Sequence, residues 1–109
     1  MSNVLIRLAS TIEARQTSDC KKSYVAKLLD LGAEKCAEKF GEEAIEAIIA
    51  AVKNDKKNMT EEAADVIFHL FVMLTSRGVK FEEILAELER REGISGIVEK
   101  ENRTKRKIR

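Results

Sequence analysis

Residues 66–74, VIFHLFVML, are apolar on nearly every side of a helix. A helix of that kind has to be enclosed all round. The chain has 109 residues, enough for one domain, 1–109, and too few for two. A domain this small buries a limited fraction of its own surface. Four other short helices would struggle to surround 66–74, so the pattern predicts a homodimer whose interface covers the remaining face.

Nothing in the chain resists helix formation. There is no proline and there are five glycines, and strong helix formers fill nearly every segment. An all-α fold follows, a bundle of four to five helices per chain completed by dimerisation. Val4, Leu5, Leu8 and Ile12 recur at helical spacing and predict a helix over 3–15. QTSDCKKS is polar and reads as a loop; SYVAKLLDLG is a short helix capped near Gly32. A long helix, 33–53, runs to the polar stretch KNDKKN. Thr60, with the acids from Glu61 to Asp65, is expected to open the next helix, about 59–76, and Gly78 to close it. VKFEEILAELERR predicts a last helix over 80–91. The remainder has no clear period, and its basic tail, about 101–109, reads as a solvated, partly disordered end.

Charge and cysteine usage exclude several partners. The net charge of +1 draws the chain to neither nucleic acid nor membrane. MSNVLIRLASTIEARQ carries charges inside its apolar stretch and is neither a signal peptide nor a span. Cys20 and Cys36 form no disulfide framework and no C-x-x-C pair, which fits a reducing cytoplasm.

The acids on two helices are less ordinary. At about 100° per residue, Glu43 falls about 20° from Cys36, inside the edge of an apolar stripe that also holds Phe40, Ala47 and Ala50. Glu46 is one turn on along the same ridge, and Glu42 is farther round towards solvent. On the next helix Glu62, Asp65 and His69 form one ridge flanked by Val66 and Met73. Each helix therefore sets two acids at i, i+3 beside an apolar surface. An ionised carboxylate taken out of water without a partner costs on the order of several kcal/mol. Lys39 is the obvious nearby cation, and one ammonium cannot compensate four carboxylates; a divalent metal can. Oxygen ligands favour Mg²⁺ or Mn²⁺ over Zn²⁺, and Mg²⁺ commonly binds substrate phosphates. The other reading of the same acids is a solvated, salt-bridged face. The Glu-x-x-His signature of di-iron bundles is absent, because Val66 stands three residues before His69. His69 is expected to be a hydrogen-bonded interior residue oriented by Asp65.

E-E-x-x-E at Glu42, Glu43 and Glu46, followed by E-x-x-D at Glu62 and Asp65, resembles the MazG-like all-α nucleoside triphosphate pyrophosphohydrolases. SYVAKLL, KFGEEAIEAIIAA, EEAADVIFHLFVML, RGV and LAELERREGISGIVEK narrow the likeness to the phosphoribosyl-ATP pyrophosphatase family, from Leu8 to Lys100. That resemblance implies a cytoplasmic, dimeric, Mg²⁺-dependent hydrolase. It would cleave phosphoribosyl-ATP to phosphoribosyl-AMP and pyrophosphate, the second step of histidine biosynthesis, as the stand-alone form. By motif position it makes Glu43, Glu46, Glu62 and Asp65 the metal ligands. Glu42 and Glu61 match the first acid of each motif, and Glu42 is a candidate to polarise the attacking water. Lys39, Lys27, Arg90 and Arg91 are candidates for substrate contacts. A salt bridge to Glu43 is the alternative for Lys39, and capping of the last helix the alternative for the arginines. Tyr24 is expected to fill the core, with stacking on a base as its other use. Ser95 and Gly96 are candidates for a turn near the substrate. The rival functions are pyrophosphohydrolysis of other nucleoside triphosphates and a non-catalytic helical interaction module.

Overall fold

Helix starts and stops are set by local side chains. α1 spans Val4–Ala14 and continues into a 3₁₀ turn, Arg15–Thr17. α2, Tyr24–Leu31, is capped by Ser23, whose Oγ accepts the Ala26 N–H at 3.2 Å. Gly32, at φ 102°, ends α2 and begins α3, Ala33–Val52. α3 stops where Asn54 adopts a left-handed φ of 58°. There the Asp55 N–H reaches the Ala50 carbonyl and the Asn54 N–H that of Ala51, the paired bonds of a Schellman end.

α4 spans Lys56–Ser76 and so begins earlier than Thr60. Asp55 is its cap, with Oδ1 accepting the Asn58 N–H at 3.1 Å. The Thr60 hydroxyl instead donates to the Lys56 carbonyl within the helix. KNDKKN thus holds both the end of one helix and the first turn of the next. Gly78, at φ 73°, closes α4 with a second Schellman pair, Gly78 N–H to Thr75 and Val79 N–H to Leu74. α5 spans Phe81–Arg91, and the Glu83 carboxylate reaches back to the Lys80 N–H at 2.8 Å.

The computed structural model describes residues 3–94 and 96–108, of which 99 and 105–108 are described by backbone alone. Ser95 lies outside the described residues. Among them there is no strand, and a sixth helix, α6, covers Gly96–Ile108. The described residues therefore form six α-helices rather than four to five, and the basic tail is helical as far as Ile108. Glu, Lys and Arg favour helix without any apolar period to announce it. Residues 100–104 are exposed, as a solvated tail should be.

α3 and α4 pack along one another as a hairpin joined by three residues. α1 and α2 cover one end of it. There Ala9, Ile12, Val25, Leu28, Cys36, Phe71 and Val72 are buried together. The Cys36 thiol donates to the Leu28 carbonyl at 3.3 Å, and burial pushes its titration up. α5 leans on this core through Phe81, whose ring lies 4.8 Å from that of Phe71.

The other half of the hairpin is bare. Ile45, Ile48, Ile49 and Val52 on α3 are exposed, with Met59 on α4 beyond the turn. Segment 66–74 is not enclosed within one chain: Phe71 and Val72 are buried, while Ile67 is 37% exposed. The radius of gyration is 16.1 Å, against about 13 Å for a compact domain of this length.

Ile12, 1% exposed, ties α1 to the hairpin. Ile12→Ala is expected to cost about 2–5 kcal/mol, and Asp55→Ala about 1 kcal/mol for the lost cap. Thr60→Ala is expected to cost less than either. Urea unfolding midpoints check all three.

Candidate metal centre

The hairpin is antiparallel, so the later acid of α3 meets the earlier acid of α4. The charge of Glu46 acts across the hairpin on Glu62, and that of Asp65 on Glu43. Glu43, Glu62 and Asp65 each offer a carboxylate oxygen, and these oxygens lie within 4.8 Å of one another. Glu46 is outside this trio, and its charge acts on both Glu43 and Glu62. Three of the four acids of the two i, i+3 pairs thus converge, with Glu46 acting on them by charge.

Their exposure follows the angular positions around each helix. Glu43 and Glu62 are half-buried, whereas Glu46 and Asp65 are exposed. Burial first, then the neighbouring Glu46 and Asp65, raises the Glu43 carboxyl above the ordinary Glu range, and Lys39 opposes this weakly. Glu62 is raised by burial, then by Glu46, Asp65 and Glu43. Its Oε2 is buried without a hydrogen-bond partner. A buried acceptor left unmatched among like charges is compatible with a cation-binding site. The donor set, all carboxylate oxygen and partly open to solvent, fits a hard divalent ion.

Lys39 pairs with Glu42 at 3.1 Å rather than with Glu43. Glu42 raises the Lys39 titration, first by hydrogen bond and then by charge, with smaller contributions from Tyr24 and Glu43. Glu42 itself is exposed, outside the three-acid cluster. Lys27 is also exposed. Arg90 and Arg91 both grip Glu87, at 2.7 and 2.8 Å. The hydrogen bonds from Arg90 and then Arg91 lower the Glu87 carboxyl to about 2. This fork closes the last turn of α5, where cations belong. Glu61 is exposed.

His69 is buried, as its position predicts, but aromatic packing holds it. Its ring meets Phe68 edge-on at 5.0 Å and Tyr24 at 6.2 Å. Its Nδ1 has no hydrogen-bond partner. Burial, then Lys39, lowers its titration, with Asp65 and Glu42 opposing. Burial thus favours the neutral ring. Tyr24 is not a core residue: it is 53% exposed. Helical periodicity places Tyr24 at a helix start but carries no signal that its neighbours leave the ring open.

Residues 5–92 match the family described as Phosphoribosyl-ATP pyrophosphohydrolase. The chain belongs to that family. Its relatives cover nearly their whole lengths. A "Phosphoribosyl-ATP pyrophosphatase" of Dinoroseobacter shibae is 63% identical over 101 residues, 93% of this chain and 99% of that protein. One from Rhodobacter capsulatus is 64% identical over 96 residues, 88% of this chain and 93% of its own. One from Cereibacter sphaeroides is 60% identical over 101 residues, 93% and 98% respectively. The matched span of the phosphoribosyl-ATP pyrophosphohydrolase family contains the whole acidic cluster and ends just past α5.

Raised carboxyls favour the neutral form in the fold. Without metal, Glu43 and Glu62 therefore stabilise the protein below the ordinary value of 4.5 and cease to do so as pH rises through their raised values. Added Mg²⁺ is expected to raise Tm at pH 7, and the shift to shrink towards pH 5 as protons compete for the same oxygens. Glu62→Gln is expected to leave the metal-free Tm equal or higher while removing most of the metal-induced shift. Scanning fluorimetry reads both; an undiminished shift in the variant would remove Glu62 from the donor set.

Proposed function

We infer that the chain hydrolyses phosphoribosyl-ATP to phosphoribosyl-AMP and pyrophosphate, in histidine biosynthesis. The observation that carries this is the convergence of Glu43, Glu62 and Asp65, with Glu46 beside them, in a member of this family. A triphosphate is too anionic to approach four carboxylates unaided. Glu43, Glu46, Glu62 and Asp65 would hold Mg²⁺, with Mn²⁺ as a substitute. Bound there, the ion supplies neutralisation of phosphate charge and of the pyrophosphate leaving group.

The chain's own side chains do the rest. Lys39 keeps its ammonium through the Glu42 contact. An ammonium has three donors, so the Glu42 bridge leaves two for phosphate oxygens. The salt bridge and the substrate contact are therefore compatible. Glu42, exposed and paired with Lys39, would orient a water and take its proton during in-line attack. Lys27, Arg90 and Arg91 remain candidates for substrate phosphates. For the arginines this requires release of Glu87 or a role through the outer edges of their guanidinium groups.

The functional unit is proposed as a homodimer of one 109-residue domain. The bare stripe of Ile45, Ile48, Ile49 and Val52, with the extended shape, supports a second copy on the distal hairpin. No helix among the described residues is long and apolar enough to cross a membrane. Two free cysteines, one exposed, accord with a reducing cytoplasm.

The deciding assay is pyrophosphate release from phosphoribosyl-ATP and from a panel of simple nucleotides, with and without EDTA. Phosphoribosyl-ATP is expected to be preferred and EDTA to abolish release. Glu43→Gln should lower kcat/KM by more than about a hundredfold. Preferential turnover of dCTP or dUTP would replace the substrate assignment. Absence of any release would leave an interaction module. Ile48→Glu is expected to give a monomer by sedimentation; a monomeric wild type at micromolar concentration would remove the dimer.

A further inference from the structure

A recess of about 600 Å³ opens between the α1–α2 connection and α4. Arg15, Asp19, Lys22 and Ser23 stand on one side, and the Tyr24 and Phe68 rings on the other. These rings are near-parallel, with planes 9° apart and centroids 6.4 Å apart. Half of Tyr24 is left to solvent, at the first residue of a helix whose next two residues are buried. Arg15 and Lys22 are exposed and have no ion-pair partner among the described residues. Asp19, the acid on the wall, turns its Oδ1 to the Lys21 N–H at 2.9 Å and so holds the loop. The lining is net cationic with an aromatic floor.

The recess and the acidic cluster are linked through one buried side chain. Both rings contact His69, which stands one helical turn from Asp65. Lys39 lies close enough to Tyr24 and to Glu43 to feel both. One end of this path suits a cation-bound triphosphate and the other a phosphate without a metal. Between them lies an exposed ring. Phosphoribosyl-ATP has that layout: a triphosphate on one ribose, a monophosphate on a second, and the purine between them.

We propose that this recess receives the phosphoribosyl end of the substrate, with Arg15 and Lys22 binding its 5′-phosphate and Tyr24 stacking on the purine. The inference rests on the functional reading above and assigns its specificity. Cationic side chains bind a terminal phosphate by charge-assisted hydrogen bonds, and an open aromatic face stacks on any base. ATP lacks the second phosphate and leaves both cations unmatched. The recess therefore separates phosphoribosyl-ATP from ATP by a contact remote from the bond that breaks.

The test is steady-state pyrophosphate release with Mg²⁺ by the wild type, by Arg15→Ala/Lys22→Ala and by Lys22→Glu. Circular dichroism and Tm confirm that the variants are folded. The double variant is expected to raise KM for phosphoribosyl-ATP by about tenfold per cation removed. Its kcat should hold within about twofold, since the contact is made equally before and during the reaction. Lys22→Glu should raise KM further than removal of the lysine alone. Ribose 5-phosphate should inhibit the wild type competitively and lose this effect in the double variant. An unchanged KM for phosphoribosyl-ATP, or undiminished inhibition by ribose 5-phosphate, would overturn the inference and leave the functional reading intact. A wild type that ignores phosphoribosyl-ATP but cleaves another nucleotide would overturn both.

Discussion

Four like charges held on two neighbouring helices are the constraint around which the chain is arranged. Glu43 and Glu62 are drawn partly out of water by the packing of α3 on α4, and each then feels the acids beside it. Left alone, that arrangement opposes folding, because desolvation and repulsion act in the same direction. It persists because the covered end of the hairpin anchors it. Cys36, Phe71 and Val72 interlock with Ile12, Val25 and Leu28 there, and the acids lie farther along the same two helices. Burial at one end stabilises strain at the middle, which is how a binding site for a cation can be built ahead of its ligand.

The same hairpin explains why the chain is extended. Its core occupies one end and its exposed isoleucines the other. The acids lie between a region the chain covers by itself and a region of exposed apolar side chains. A site in that position is partly shielded without being closed.

Much of this was legible as periodicity. The two acid pairs, each at i, i+3 beside an apolar stripe, were visible in the spacing alone. Glu43 at the stripe edge, and Glu42 turned to solvent, followed from 100° per residue. Gly32 and Gly78 marked helix ends because left-handed backbone favours glycine. Other features were hidden for identifiable reasons. Asp55 and Asn54 sit in one polar run, and composition alone does not divide such a run into the end of one helix and the cap of another. α6 escaped notice because a charged helix without a core face has no apolar period. Lys39 chose Glu42 over Glu43 because the i, i+3 and i, i+4 positions are both within reach of a lysine, and rotamer and solvation decide between them.

By itself the sequence determined that the chain is helical, where most helices end, and that two pairs of acids border apolar stripes. These are local properties, set by propensity, capping and angular spacing along one helix. Tertiary structure alone decided that the pairs face one another, that Glu62 keeps an oxygen without a partner, that His69 is held by rings, and that Tyr24 opens onto a cationic recess. Each of these depends on the distance between side chains far apart in the chain, and that distance is fixed only when the helices pack.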